Sequence, residues 1–444
     1  FARRRRPLAA GAGALLLCAL VFAIALPGQT PVLAPTSDAR PSPSFDAAPV
    51  PIRTCSVATE ATDPRLGTMT AMVRDVATGN ILFDRSGELP VRPASVQKVL
   101  IAAAALTALG PDARAVTRVV MGSQPGELVL VGGGDLTLAR TGANVYPGVA
   151  RLSDLAARAR AAFEAATGSP PIRVTLDATA FGGPEWHPSW NTKEIGDGYQ
   201  APIAALMVDG DRDDPNALVS ARSADPVSRA GAAFAAALGV PVTVSRGTAP
   251  AGARELASVE SPSVAQLVDI ALTYSDNVAA EMLARMVARS TGAGSTFSAI
   301  EPAVKTALAG YDLDLTGLRL VDGSGLSDDN AVAPALLTEL FRHVSAREGN
   351  LGVLFDALPV AGERGSLRYA DRFTGENAIA RGAVFAKTGW IDDGHTLAGL
   401  VHAADGTVLS FAITALDGVD ASAKTAIDTW VTAVYRCGNR LSNQ

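Results

Sequence analysis

The sequence predicts an α+β protein: an antiparallel sheet flanked by helices takes strands from both ends of the chain, and an inserted α+β domain interrupts it. Three observations lead there. The stretch MTAMVRDVATGNILFDR at 69–85 is two strands around the turn ATGN. Far along the chain, ARGAVFAKTG at 380–389 and HTLAGLVHAADGTVLSFAITAL at 395–416 give three antiparallel strands, the last two joined at ADG. Between them, from about 116 to 250, the texture changes to alternating strands and helices.

Taken in order, the chain opens on a basic segment at 1–6 and an apolar run at 7–27. That pattern is a membrane anchor or signal segment, and it places the remainder outside the cytoplasm. PVLAP at 31–35 offers a cleavage site after Ala34, in which case the protein is secreted. Residues 28–54, rich in Pro, Ser, Thr and Asp, form a flexible linker. The main domain then occupies 55–115 and 251–444, split by the insertion at 116–250.

Within the insertion, strands are expected at AVTRVVMG, GELVLVGGGDLTL, PIRVTLDATAF, NALVSARS and PVTVSRG. Helices are expected at RLSDLAARARAAFEAATG and PVSRAGAAFAAALG, each closed by a glycine. Beyond it, 261–292 is helical with a polar break at YSDN, and ASAKTAIDTWVTAVYR at 421–436 closes the chain as a helix.

Composition excludes several functions. The chain of 444 residues is 48% apolar, enough for a sizeable core. Its net charge is −6 with no basic block past the N-terminus, which argues against nucleic acid. His187, His343, His395 and His402 show no metal-ligand spacing, so no metal is expected. GGGD at 132–135 lacks the Gly-Lys-Ser/Thr ending of a phosphate loop, and no cofactor is implied.

The chemistry lies in three short motifs. VRPASVQKVLIAAAAL at 91–106 starts a helix at Pro93 and runs helical from Ala94 to Leu106. Ser95 and Lys98, three apart, share one face of it. A lysine there is costly to bury unless something needs it. Ser275-Asp276-Asn277 interrupts a helical region, and Lys387-Thr388-Gly389 ends a strand. Each motif alone is weak. The ordered set of Ser-x-x-Lys, Ser-Asp-Asn and Lys-Thr-Gly is the signature of serine β-lactamases and penicillin-binding proteins.

With VDGSGLSDDN at 321–330, GGGDL at 132–136 and the long insertion, the chain resembles the D-alanyl-D-alanine carboxypeptidases of class C penicillin-binding proteins, peptidase family S13. The resemblance runs from about 57 to 436 and implies the serine β-lactamase/penicillin-binding (DD-peptidase) fold. It implies peptidoglycan peptides ending in D-Ala-D-Ala as substrates, and β-lactam antibiotics as acylating ligands. Endopeptidase action on cross-links is compatible with it.

The implied roles are specific. Ser95 is the nucleophile and Lys98 its base, kept neutral by burial and by a second cation at Lys387. Ser275 relays a proton to the departing amine, and Asn277 orients the substrate amide and Lys98. Lys387 and Thr388 hold the substrate carboxylate, and Gly389 leaves room for its backbone. The backbone N–H groups of Ser95 and Trp390 form the oxyanion hole. Trp390 stands where the family usually has Thr or Ser; a bulky indole either narrows the cleft or stacks outward.

Cys55 and Cys437 bracket the folded region. Outside the cytoplasm a disulfide between them is expected over two free thiols. PEWHPSWNTKEIGDGYQAP at 184–202 resembles the family stretch that joins the insertion to the main domain, with a sugar-stacking platform as the alternative. Two competing functions are weighed. A β-lactamase needs a placed carboxylate for deacylation, which the sequence does not offer. A non-catalytic wall-binding protein would not need nucleophile and base together.

Overall fold

The structure, a computed structural model, describes residues 53–443. The basic segment 1–6, the anchor or signal segment 7–27 and nearly all of the linker lie outside the described residues. Among the described residues no helix is long and apolar enough to cross a membrane.

The main sheet has five strands in the order β2-β1-β10-β9-β8. They are β1 (Thr68–Asp75), β2 (Ile81–Arg85), β8 (Val384–Ile391), β9 (Gly394–His402) and β10 (Val408–Leu416). Every pairing is antiparallel. β9 and β10 are buried along almost their whole length, because helices cover both faces. β8 is an edge strand, and it carries Lys-Thr-Gly.

One face of the sheet is covered by the C-terminal helix Ala423–Cys437, with Trp430 buried against Phe83. On the other face lie the helix Pro334–Ser345 and the turn that starts the helix Lys98–Ala108. Lys98–Ala108 is apolar all round because it sits among the helices Val264–Thr273, Asn277–Ser290, Ile300–Leu308 and Leu351–Ala357. Every residue from Lys98 to Leu106 is buried.

Drawing strands from both ends of the chain brings those ends together. Cys55 N–H donates to the Arg440 carbonyl at 3.0 Å, and Ser442 N–H donates to the Cys55 carbonyl at 2.9 Å. Cys55 and Cys437 are joined by a disulfide, with Cα atoms 5.4 Å apart across 382 residues of sequence. Non-reducing peptide mapping is expected to recover the two as one linked pair. Replacing both by serine should cost about 2–5 kcal/mol of stability, read as a lower denaturant midpoint. Free thiols at both positions would overturn this.

The second sheet has the order β6-β5-β4-β3-β7. Its strands are β3 (Val116–Met121), β4 (Glu127–Val131), β5 (Arg173–Asp177), β6 (Thr243–Arg246) and β7 (Glu255–Glu260). β4, β5 and β6 pair in parallel through the crossover helices Leu152–Thr167 and Pro226–Leu238. Two details differ from the sequence reading. β7 was not anticipated; it pairs with β3. NALVSARS at 216–223 is loop, touching the fold by a single bridge between Arg212 and Arg222. There Arg212 and Arg222 are buried and donate to the carbonyls of Leu218, Gly198 and Gly210, so side chains take the place of a strand ladder.

Candidate active site

The three motifs meet at one cleft of about 550 Å³, lined among others by Ser95, Ser275, Asn277, Thr388, Gly389 and Trp390. Ser95 lies in a 3₁₀ turn, Ala94–Gln97, that runs into the helix Lys98–Ala108. The α-helix therefore starts four residues later than the sequence suggests. Ala94 has φ +47°, a left-handed conformation that few non-glycine residues adopt outside functional turns.

Lys98 is 1% exposed, and its Nζ has three oxygen partners. They are Ser95 Oγ at 2.7 Å, Asn277 Oδ1 at 2.7 Å and the Ser324 carbonyl at 2.6 Å. Burial lowers the Lys98 pKa from 10.5 to about 8, against the pull of Asp322, Glu281 and Asp276, which favour the charged form. Burial, rather than a neighbouring cation, is thus what moves Lys98. Repulsion between the two ammonium groups is felt at Lys387, whose pKa falls well below 10.5 through burial first and Lys98 second.

Ser275 sits between the helices Val264–Thr273 and Asn277–Ser290. Its φ of +60° is again left-handed, so the chain turns sharply there. Asp276 caps the second helix by accepting from Ala279 N–H at 2.7 Å, and its carboxylate pairs with buried Arg212. Its two carboxylate oxygens are engaged in this cap and ion pair, which fixes the turn. Asn277 is held from both ends: Oδ1 accepts from Lys98, and Nδ2 donates to the Tyr199 carbonyl at 3.1 Å.

On β8, Lys387 is fully buried, and among the described residues no carboxylate pairs with it. Its Nζ donates to Ser275 Oγ at 2.9 Å and to the Thr388 carbonyl at 2.6 Å. Ser275 therefore bonds to Lys387, with no direct bond to Lys98. The Thr388 hydroxyl is 2.7 Å from Ser366 Oγ, a bond in which either oxygen can donate. At Gly389 a Cβ would lie 2.1 Å from Thr396 Oγ1 and 3.0 Å from Ser95 N. The nearest obstacle to a side chain is thus Thr396 on β9, and the next is the protein's own nucleophile turn, so glycine lets both approach the strand. Trp390 does not stack outward away from the site. It lines the cleft, 56% exposed, edge-to-face with Tyr199 at 6.2 Å.

The sequence reading missed Tyr199, Ser324 and Ser366, which act through backbone carbonyls or one half-buried hydroxyl and leave no pattern. It also missed Glu281, although a carboxylate one turn beyond Asn277 on a buried helix face was a visible anomaly. The loop 321–330 lines the cleft through Gly325, Leu326 and Asp328. It is organised by Asp322, which accepts from Gly325 N–H, Ser327 N–H and Asn330 Nδ2. The sugar-stacking alternative for 184–202 fails at Trp190, which is 4% exposed and donates to Asp322 at 2.8 Å.

The comparisons agree with this geometry. The model of the D-Ala-D-Ala carboxypeptidase 3 (S13) family matches residues 54–218 and 212–434. Carboxypeptidase DacB of Mycolicibacterium smegmatis is 39% identical over 420 residues, covering 91% of this chain and 88% of that protein. A carboxypeptidase of Mycobacterium tuberculosis is 38% identical over 416 residues, with the same coverage of 91% and 88%. The crystal structure of penicillin binding protein 4 from Haemophilus influenzae shares the fold, with a TM-score of 0.69 at 19% identity over 85% of this chain and 98% of that one. With its Ser-x-x-Lys, Ser-Asp-Asn and Lys-Thr-Gly residues gathered at one cleft, the chain belongs to the S13 family of D-Ala-D-Ala carboxypeptidases.

Proposed function

We propose that this chain removes the terminal D-alanine from peptidoglycan stem peptides through an acyl-enzyme on Ser95, and that β-lactams acylate the same serine. The observation that carries the reading is the pair of buried lysines. Lys98 is bonded to the nucleophile, while Lys387 stands beside Ser275 with no carboxylate partner among the described residues.

Ser95 Oγ attacks the carbonyl of the penultimate residue as Lys98 takes its proton. The oxyanion is met by the N–H groups of Ser95 and Trp390. The C–N bond then breaks. Ser275 gives its hydroxyl proton to the departing amine and takes one from Lys387, the lysine bonded to it. Water then cleaves the ester: its proton returns through Ser275 to Lys387, and Lys98 gives the proton it holds back to Ser95 Oγ. The substrate carboxylate supplies the counter-charge that Lys387 lacks, and Thr388 Oγ1 completes its seat, accepting from Ser366 while it donates to the carboxylate. Trp390 and Tyr199 narrow the cleft beside this strand.

The basic start and apolar run at 1–27 support placing the catalytic domain outside the cytoplasm, either anchored there or released by cleavage after Ala34. The substrate lies in that compartment, and a disulfide persists there.

Intact-protein mass spectrometry after incubation with benzylpenicillin tests the reading. A lasting adduct of one drug mass is expected on the wild type and none on Ser95→Ala. Rapid drug turnover without a lasting adduct would favour a β-lactamase. Absence of both would favour a wall-binding protein.

A further inference from the structure

Lys98 can act as a base only through its lone pair, and the structure constrains where that lone pair points. A neutral amine has two N–H donors and one lone pair. Of the three partners of Lys98, the Asn277 amide oxygen and the Ser324 carbonyl can only accept. Ser95 Oγ alone can also donate. With both acceptors in place, the two N–H groups are taken and the lone pair faces the Ser95 hydroxyl. If the Ser324 carbonyl were absent, one N–H would be free to turn toward Ser95 and the lone pair could face elsewhere.

The Ser324 carbonyl therefore needs a fixed position, although it lies in a loop. Glu281 supplies it. This residue is fully buried on the helix Asn277–Ser290, one turn after Asn277. Its Oε1 accepts from the N–H groups of Gly323 at 2.9 Å and Ser324 at 2.8 Å. Its Oε2 has no hydrogen-bond partner among the described residues, an expensive arrangement for a buried carboxyl. Gly323 lets the loop lie on the helix: a Cβ there would be 2.6 Å from Ala284 Cβ and 2.9 Å from the Ala280 carbonyl. One helix thus sets both acceptors of Lys98, Asn277 directly and the Ser324 carbonyl through Glu281.

We infer that Glu281 is a positioning residue: it holds the 322–325 loop so that the Ser324 carbonyl occupies one N–H of Lys98 and turns the amine lone pair onto Ser95. The inference rests on the acylation chemistry proposed above. It requires the shape of the glutamate, not its charge. Glutamine presents the same oxygen to both N–H groups. Aspartate keeps the charge but is one methylene too short to reach them.

The test measures acylation by benzylpenicillin in stopped-flow, separating the first-order acylation constant at saturation from the concentration dependence. At a pH above about 9, where Lys98 is neutral with or without the pull of Glu281, Glu281→Gln is expected within about threefold of wild type. Glu281→Asp is expected to lose about tenfold or more in the saturating constant with the non-covalent dissociation constant unchanged, since Lys387 and Thr388 are untouched. Wild-type acylation by Glu281→Asp overturns the inference, as does an equal loss in Glu281→Gln. If Glu281→Asp does not fold, Gly323→Ala, which lifts the same loop with the carboxylate intact, takes its place with the same expected loss. An unacylated wild type would instead refute the reaction itself.

Discussion

Lys98→Ala is expected to lower the acylation constant of Ser95 by about 10²–10⁴-fold, the usual worth of a positioned general base. The geometry leaves no substitute. Among the described residues Lys98 is the only amine bonded to Ser95, and the second buried lysine reaches Ser275 instead. The pH dependence carries a second signature. Lys98 is brought down from 10.5 to about 8, and only its neutral form accepts a proton. Acylation should therefore rise about tenfold per pH unit below about pH 8 and level off above it. Lowering the pH through this range charges Lys98 and removes the base. The limb should vanish in Lys98→Ala. Stopped-flow acylation from pH 5 to 10 checks both. Normal acylation in the variant, or an unchanged limb, would show that another group is the base.

Replacing Lys387 should fail differently. Its amine is buried beside Lys98 with no acidic partner among the described residues, which lowers its pKa, so a substrate carboxylate is what favours its charged form and completes an ion pair. Truncating one side of such a pair costs about 2–5 kcal/mol. For Lys387→Ala this predicts kcat/KM on a peptide ending in D-Ala-D-Ala to fall about 30- to 5,000-fold. The same peptide with its C-terminus amidated lacks the charge and should lose far less. The preference of wild type for the free acid should largely disappear. Steady-state kinetics on the acid and the amide, for both proteins, decide it. A variant that still prefers the free acid as strongly as wild type would remove Lys387 from the carboxylate seat.

The sequence determined the class of this protein because its information there is local. Alternating strands at 69–85 and 395–416, and helices with caps and glycine stops, follow from side-chain period and turn chemistry. The ordered motifs with Ser95, Ser275 and Lys387 were legible because each residue type is needed at a short fixed spacing from its neighbours. The closeness of Cys55 and Cys437 followed from one sheet using both ends of the chain.

Only the tertiary structure decided the wiring between motifs. Ser275 bonds to Lys387 rather than to Lys98, and Lys98 is shifted chiefly by burial rather than by a second cation. Ser324 and Tyr199 act through backbone carbonyls, which every residue possesses and no sequence pattern marks. NALVSARS looked like a strand by period, yet buried Arg212 and Arg222 take the neighbouring carbonyls that a ladder would need. Trp390 could have faced either way from an edge strand until Tyr199, brought across the cleft by the chain after 184–198, fixed its side. The physical reason is common to all of these. Hydrogen-bond partners and desolvation depend on which distant segments pack together, and a single sequence records the segments but not their distances.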